Sequence, residues 1–353
     1  MSLEEIRGKR VLERVVAGGR LRAGIAFASG AVLLAWAAAP WILRGSPSRR
    51  RTIVFYGFSI LGEAIEEGVF PAFQARWKAR TGETVELVGS FAGSGTITNQ
   101  IRLGAPAEIA LVALELDAER IAAGGAAEPD SWKKLPHAGV VNRTPFVILV
   151  RPGNPKGIRD FADLARPGVR VVHPDPQTSG GALWSILAEW GAGERRRPGG
   201  GRDLLLGVWR NVVAQAASAR AARTQFENGF GDALVTYEQE ALRRSAGDAP
   251  FEIVYPRATT FAEHTLVVVS RNVPRERRAL VEAFAAFLWS DEAQRTFVRY
   301  GFRSADGRFD RENPAFGAIA EPFSVADLGA WPRAKADVID RVWCDDVMKR
   351  VGQ

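Results

Sequence analysis

Apolar and polar positions in this chain alternate between a strand register and a helix register. Thr52–Tyr56 is an apolar run of strand type, after which Ile60, Leu61, Ala64, Ile65, Phe70, Phe73 and Trp77 recur at helical spacing as far as Lys78. Gly68 and Pro71 predict a break inside that helix. Thr84–Val88 predicts the next strand, and a helix runs from the turn Gly93-Ser94-Gly95 to about Leu103. Glu108–Val112 reads as a strand and Glu115–Ala123 as a helix closed by Gly124-Gly125. This alternation predicts an α/β fold with a parallel sheet covered by helices.

A second series begins at the apolar strand Pro145–Val150 and its turn Pro152-Gly153-Asn154-Pro155. It continues with a helix at Phe161–Ala165, a strand at Val169–Val172 and helices at Ala182–Trp190 and Asp203–Arg210. Val212–Ala214, Ala219–Glu227 and Ala233–Thr236 extend the pattern, and the charged, Gly-rich stretch Glu194–Arg202 predicts a solvated, mobile loop. Phe251–Tyr255 and Thr265–Ser270 read as strands returning to the first series. Helices follow at Pro274–Trp289, Asp291–Tyr300 and Val325–Val351, the last interrupted at Pro332. The chain thus leaves a first lobe near Pro145 and comes back near Tyr255, and a ligand is expected in the crevice beyond the carboxyl ends of the strands.

Ahead of this lies an uncharged run, Ala23–Leu43, flanked by Arg20 and Arg22 on one side and by Arg44 and Arg49-Arg50-Arg51 on the other. About 20 apolar residues suffice to cross a bilayer. We expect residues 23–43 to be a membrane anchor, with a cleaved signal peptide as the alternative; Pro40 after Ala37-Ala38-Ala39 disfavours cleavage. The expected organisation is a leader at 1–22, the anchor at 23–43, a linker at 44–51, lobe 1 at 52–145, lobe 2 at 146–255, and the return of lobe 1 with C-terminal helices at 256–353. The globular part is expected outside the cytoplasm.

The net charge of +7 gives no nucleic-acid signature, because residues 1–44 hold seven basic against three acidic residues, +4 of that total, and the rest is dispersed. Cys344 is the only cysteine, which excludes an intrachain disulfide and reads as a half-buried structural thiol in a helix. His137, His173 and His264 have no metal-ligand spacing, so no metal site is expected. Ser179 lacks the Gly-x-Ser-x-Gly elbow of a hydrolase, and no Walker-type loop occurs. Neither an enzyme nor a cofactor is expected.

What remains is a pair of turns, Gly93-Ser94-Gly95-Thr96 and Thr178-Ser179-Gly180-Gly181, each between a strand and a helix. Helix starts present unpaired N–H groups and partial positive charge, so such turns bind anions without a cation. Two in opposite lobes point to an oxyanion gripped from both sides; each alone also reads as ordinary capping.

Phe91-Ala92-Gly93-Ser94-Gly95, Asn154-Pro155-Lys156, Pro174-Asp175-Pro176-Gln177-Thr178-Ser179-Gly180-Gly181-Ala182 and Phe226–Val235 carry a resemblance. With them the chain, from about Thr52 to its end, is similar to the periplasmic sulfate- and thiosulfate-binding proteins of ABC importers. The resemblance implies a two-lobed type II binding-protein fold, an inorganic oxyanion as ligand and an ABC permease as partner. It implies ligand contacts from the N–H of Ser94, the hydroxyl and N–H of Ser179, the N–H groups of Gly180 and Gly181, and the N–H of Ala219. Arg220 would support the loop rather than pair with the anion. Tyr237 stands where sulfate binders often carry a tryptophan, and Ser59 faces the site by position, where the family often shows an Asp nearby. Sulfate or thiosulfate is the first expectation. Phosphate, molybdate or tungstate at the same site, a membrane-anchored oxyanion sensor and an ester-processing enzyme are the alternatives. Asp175 or Glu238 would favour phosphate if either pointed inward, because monohydrogen phosphate needs an acceptor.

Overall fold

A computed structural model describes residues 51–243 and 251–351. The leader and the proposed anchor at 23–43 lie outside the described residues. Among the described residues no helix is long and apolar enough to cross a membrane.

Five elements build the first half of the sheet and its cover: β1 (Arg51–Phe58), α1 (Phe70–Thr81), β2 (Val85–Ala92), α2 (Ser94–Arg102) and β3 (Ile109–Val112). α3 (Glu115–Ala123) follows, and then β4 (Val140–Val150), α4 (Phe161–Leu164), β5 (Val171–Pro174), α5 (Gly180–Arg196), α6 (Gly201–Arg210) and β6 (Val212–Ala216). α7 (Ala219–Glu227), β7 (Ala233–Tyr237), α8 (Glu238–Leu242), β8 (Glu252–Val254) and β9 (Ala258–Val268) complete the second series, and α9 (Arg278–Phe287) and α10 (Asp291–Arg299) close the first. The strand order is β2-β1-β3-β9-β4-β7-β5-β6. β1 is parallel to β2 and β3, and β5 is parallel to β6 and β7, as the helical crossovers require.

β4 belongs to both lobes. Its first half pairs with β9, ending at Pro145 opposite Phe261, and its second half pairs with β7, beginning at Phe146 opposite Tyr237. Proline has no N–H for the ladder, so the change of partner falls where one bond is already missing. The strands β1, β2, β5, β6 and β7 all end facing the crevice between the lobes, at Phe58, Ala92, Pro174, Ala216 and Tyr237.

Several local features differ from the sequence expectation. Gly68 and Pro71 do not break the first helix: Ala64–Val69 forms a π-helical turn that runs directly into α1, with Pro71 as the second residue of α1. The charged stretch from Glu194 is not a loop throughout. α5 continues to Arg196, and the Glu194 carboxylate accepts from Gly199 N and Gly201 N, both at 2.9 Å, fixing the turn and the start of α6. Cys344 is exposed rather than half-buried. The C-terminal π-helical segment Ala334–Val347 packs on α5 and α6, with Trp343 edge-on to Trp209 at 5.2 Å.

Candidate functional site

Three helix starts, those of α2, α5 and α7, meet at the crevice. Ser94 is the first residue of α2, whose N-cap Gly93 has no side chain to cap with, and the Ser94 hydroxyl turns elsewhere: Oγ donates to Asp117 Oδ2 at 2.6 Å and accepts from Ala113 N at 2.9 Å. Asp117 is wholly buried, and that burial pushes its carboxyl up although the Ser94 hydroxyl and Arg120 pull the other way. With its side chain fixed, Ser94 has its backbone N–H left to offer the crevice. Asp117 was not found from the sequence. It lies 23 residues from Ser94, and only the adjacency of the α2 and α3 starts brings them together.

Ser179 is the N-cap of α5, yet its side chain caps nothing. Its backbone N–H donates to the Asp175 carbonyl at 2.8 Å, so the donors left at this turn are the Ser179 hydroxyl and the first N–H groups of the helix, Gly180 and Gly181. Ala219 opens α7, whose N-cap Ser218 accepts from Ala221 N at 3.1 Å and leaves the first N–H groups unpaired. Ser59 begins a one-turn 3-10 helix after β1 that packs on α7, and it is half-buried.

These turns are in contact. Gly95 N donates across the crevice to the Thr178 carbonyl at 3.0 Å, and Thr178 Oγ1 donates to the Ala217 carbonyl at 3.0 Å. A Cβ on Gly180 would stand 3.2 Å from Ser94 Cβ, and one on Gly181 would stand 2.9 Å from Tyr237 Oη. Ser94, Ser179, Ala219 and Tyr237 are each less than 5% exposed, so the lobes are closed over this point.

Tyr237 ends β7 with its ring against Phe146 at 4.7 Å and Phe58 at 6.3 Å. Its hydroxyl is buried without a hydrogen-bond partner among the described residues, and burial, with Asp117 and Glu240 nearby, pushes its ionisation far up. It is therefore a neutral O–H facing the first turn of α5. His264 meets Tyr237 edge-on at 5.8 Å and Phe58 at 4.4 Å, and its Nδ1–H donates to Asn142 Oδ1 at 2.5 Å. Burial pushes the His264 imidazole down from 6.5 to about 3. Between those values the unfolded chain binds a proton that the folded chain refuses, so this contribution is fully present above pH 6.5 and is lost as pH falls toward 3. We expect His264→Gln to flatten the acid side of the stability profile by about 1.4 kcal/mol per pH unit, read by urea unfolding between pH 4 and pH 6. An unchanged slope would contradict a neutral His264.

Among the described residues no cation reaches the meeting point. Arg220 donates from Nε to Glu240 Oε1 at 2.8 Å and lies 3.5 Å from Glu63, which also pairs with Arg243. Burial alone would raise Glu63, but Arg243 and Arg220 outweigh it and hold the carboxyl low. The two carboxylates nearest the Ser179 turn and Tyr237 in sequence each receive at least one hydrogen bond. Glu238 takes Arg303 at 2.9 and 2.8 Å and Gly317 N at 3.0 Å, and Asp175 Oδ1 takes Gln177 N at 2.8 Å. His173, near Ser179 in sequence, is buried beneath α5 and does not face the crevice as a base. Among the described residues no cluster of His, Cys, Asp or Glu fits a metal ion.

Residues 66–303 match the family model for bacterial extracellular solute-binding proteins. The sulfate-binding protein of Synechococcus elongatus is 32% identical over 85% of this chain and 87% of its own length. The thiosulfate-binding protein of Pseudomonas aeruginosa is 35% identical over 64% of this chain and 70% of its own. In structure, the sulfate-binding protein SubI from Mycobacterium tuberculosis superposes with a TM-score of 0.73 at 29% identity, covering 81% of this chain and 98% of SubI. The chain belongs to the sulfate- and thiosulfate-binding family of solute-binding proteins. A molybdate-binding protein from Mycobacterium bovis is more distant, 26% identical over 60% of this chain. A periplasmic thiamin-binding protein at 15% identity and a TM-score of 0.62 shares the two-lobed fold alone.

Proposed function

We propose that this protein captures a fully ionised tetrahedral oxyanion, sulfate or thiosulfate, between its lobes and delivers it to an ABC permease. The reading is carried by one observation: three helix starts with unspent N–H groups converge on a buried point that, among the described residues, no cation reaches. Ser94, Ser179, Gly180, Gly181, Ala219, Tyr237 and Ser59 are the proposed ligand contacts. Sulfate only accepts hydrogen bonds, so a cradle of donors suits it. Monohydrogen phosphate brings a proton that needs an acceptor, Glu238 is taken by Arg303 and Gly317, and an unpaired buried polar group costs about 1–3 kcal/mol.

Six or so charge-assisted hydrogen bonds at about 1.5–3 kcal/mol each offset desolvation and leave micromolar affinity, about −8 kcal/mol. Calorimetric titration at pH 7.5 with sulfate, thiosulfate, phosphate, molybdate and tungstate tests this. Sulfate or thiosulfate is expected to bind with a Kd near 1 μM, and phosphate about 10-fold or more weakly. Phosphate binding as tightly as sulfate would sink the donor-only reading. Within this proposal residues 23–43 hold the globular part at the periplasmic face of the inner membrane, and mass spectrometry of the mature N-terminus distinguishes an anchored from a cleaved form.

A further inference from the structure

Beneath the first turn of α5 lies a polar cluster that the proposed capture does not use. His173, Ser185 and Glu189 are each 0% exposed. His173 Nδ1 is 2.9 Å from the Pro174 carbonyl, which only accepts, so Nδ1 carries a proton. Nε2 lies 3.0 Å from Ser185 Oγ and 3.4 Å from Glu189 Oε1. Neither Glu189 oxygen has a hydrogen-bond partner among the described residues, and an isolated buried carboxylate is costly. The Ser185 proton has acceptors of its own in the carbonyls of Gly181 and Ala182, at 3.1 and 3.0 Å. The Trp209 ring stands 4.5 Å from the imidazole, an aromatic neighbour that favours a cation. These contacts leave Nε2 between a hydroxyl whose proton has other acceptors and a buried carboxylate without a hydrogen-bond partner among the described residues.

We propose that His173 is a positioning residue for oxyanion capture, held as an imidazolium by Glu189. It ties the end of β5 to the first turn of α5: Nδ1–H holds the Pro174 carbonyl just ahead of the Asp175–Thr178 loop, and Nε2–H reaches Ser185, whose hydroxyl holds Gly181. Its charge lies behind the same helix start that offers Gly180 and Gly181 to the anion and adds to the dipole there. Anion and imidazolium stabilise each other, and the coupling is reciprocal. The inference rests on reading the Ser179–Gly181 turn as a ligand contact.

The test uses the full chain in detergent, with sulfate as the probe. His173→Gln and Glu189→Gln are each expected to weaken sulfate binding about tenfold while unfolding remains cooperative. In protein labelled with ¹⁵N-histidine, sulfate-loaded wild type should show both His173 ring nitrogens protonated, and Glu189→Gln only one. Sulfate affinity within about twofold of wild type in both folded variants, or a neutral His173 in the sulfate-loaded wild type, would overturn the inference. If the variants do not fold, the wild-type nitrogen signals decide it. A wild-type protein that binds no oxyanion would overturn the functional reading and this inference with it; normal binding with indifferent variants overturns this inference alone.

Discussion

Gly93→Ala is expected to raise the apparent Kd for sulfate about 100-fold while leaving the ligand-free fold intact. A Cβ at this position would stand 2.4 Å from the Thr178 carbonyl oxygen and 2.5 Å from that of Ala217. Both atoms are backbone of the opposite lobe, so no rotamer change relieves the contact. The lobes must separate, and the separation also strains the 3.0 Å bond from Gly95 N to the Thr178 carbonyl. Overpacking of this kind costs about 1–3 kcal/mol or more, and the upper part of that range corresponds to two orders of magnitude in affinity. Because the clash exists only between lobes, each lobe keeps its own packing. Thermal unfolding without ligand should therefore move little, while small-angle scattering with sulfate should stay at the open radius. Wild-type affinity in this variant would mean that the Gly93 turn and the Thr178 turn do not close on the ligand.

The parallel layers of this fold were legible because their buried strands carry apolar residues on both faces. Ile109–Val112 is completely buried, and so is Ala233–Val235 of β7. The connecting strands were harder to read for a physical reason. Their buried positions hold Asn142, Thr144, Thr259, Thr260 and His264, so the first half of β4 and most of β9 lack an apolar run. Two of those residues find partners only across the shared strands: Thr259 Oγ1 donates to the Phe146 carbonyl, and Thr144 Oγ1 accepts from Gln239 N. The charged tail of α5 misled for the opposite reason. Glu194 and three arginines look like a solvated loop, but here the carboxylate is the device that turns the chain into α6.

The candidate site was readable as two Ser/Gly turns at helix starts, since local backbone chemistry is written locally. Its supporting partners were not. Ser94 depends on Asp117, and Thr178 depends on Ala217, pairs made by the sheet order rather than by spacing along the chain. The Ser179 N–H, expected to face the ligand, is turned to the Asp175 carbonyl at 2.8 Å, which tightens the loop and shifts the burden to Gly180 and Gly181.

Tyr237→Phe is expected to move stability and affinity in opposite directions. The phenol oxygen has no hydrogen-bond partner among the described residues, and a donor left unsatisfied in the closed lobes costs about 1–3 kcal/mol. Removing it should leave the ligand-free melting temperature unchanged or raise it by a few degrees, since the ring contacts with Phe146 and Phe58 remain. The same hydroxyl faces the first turn of α5 and, being strongly held in its neutral form, donates to an anion seated there. One charge-assisted hydrogen bond of about 1.5–3 kcal/mol corresponds to a 10- to 100-fold loss of sulfate affinity. Calorimetry and thermal unfolding on the same preparation read both effects. A variant that loses stability and affinity together would assign Tyr237 to packing, and one that keeps its affinity would remove it from the ligand shell. Only the crossed outcome is consistent with a hydroxyl whose partner is the oxyanion.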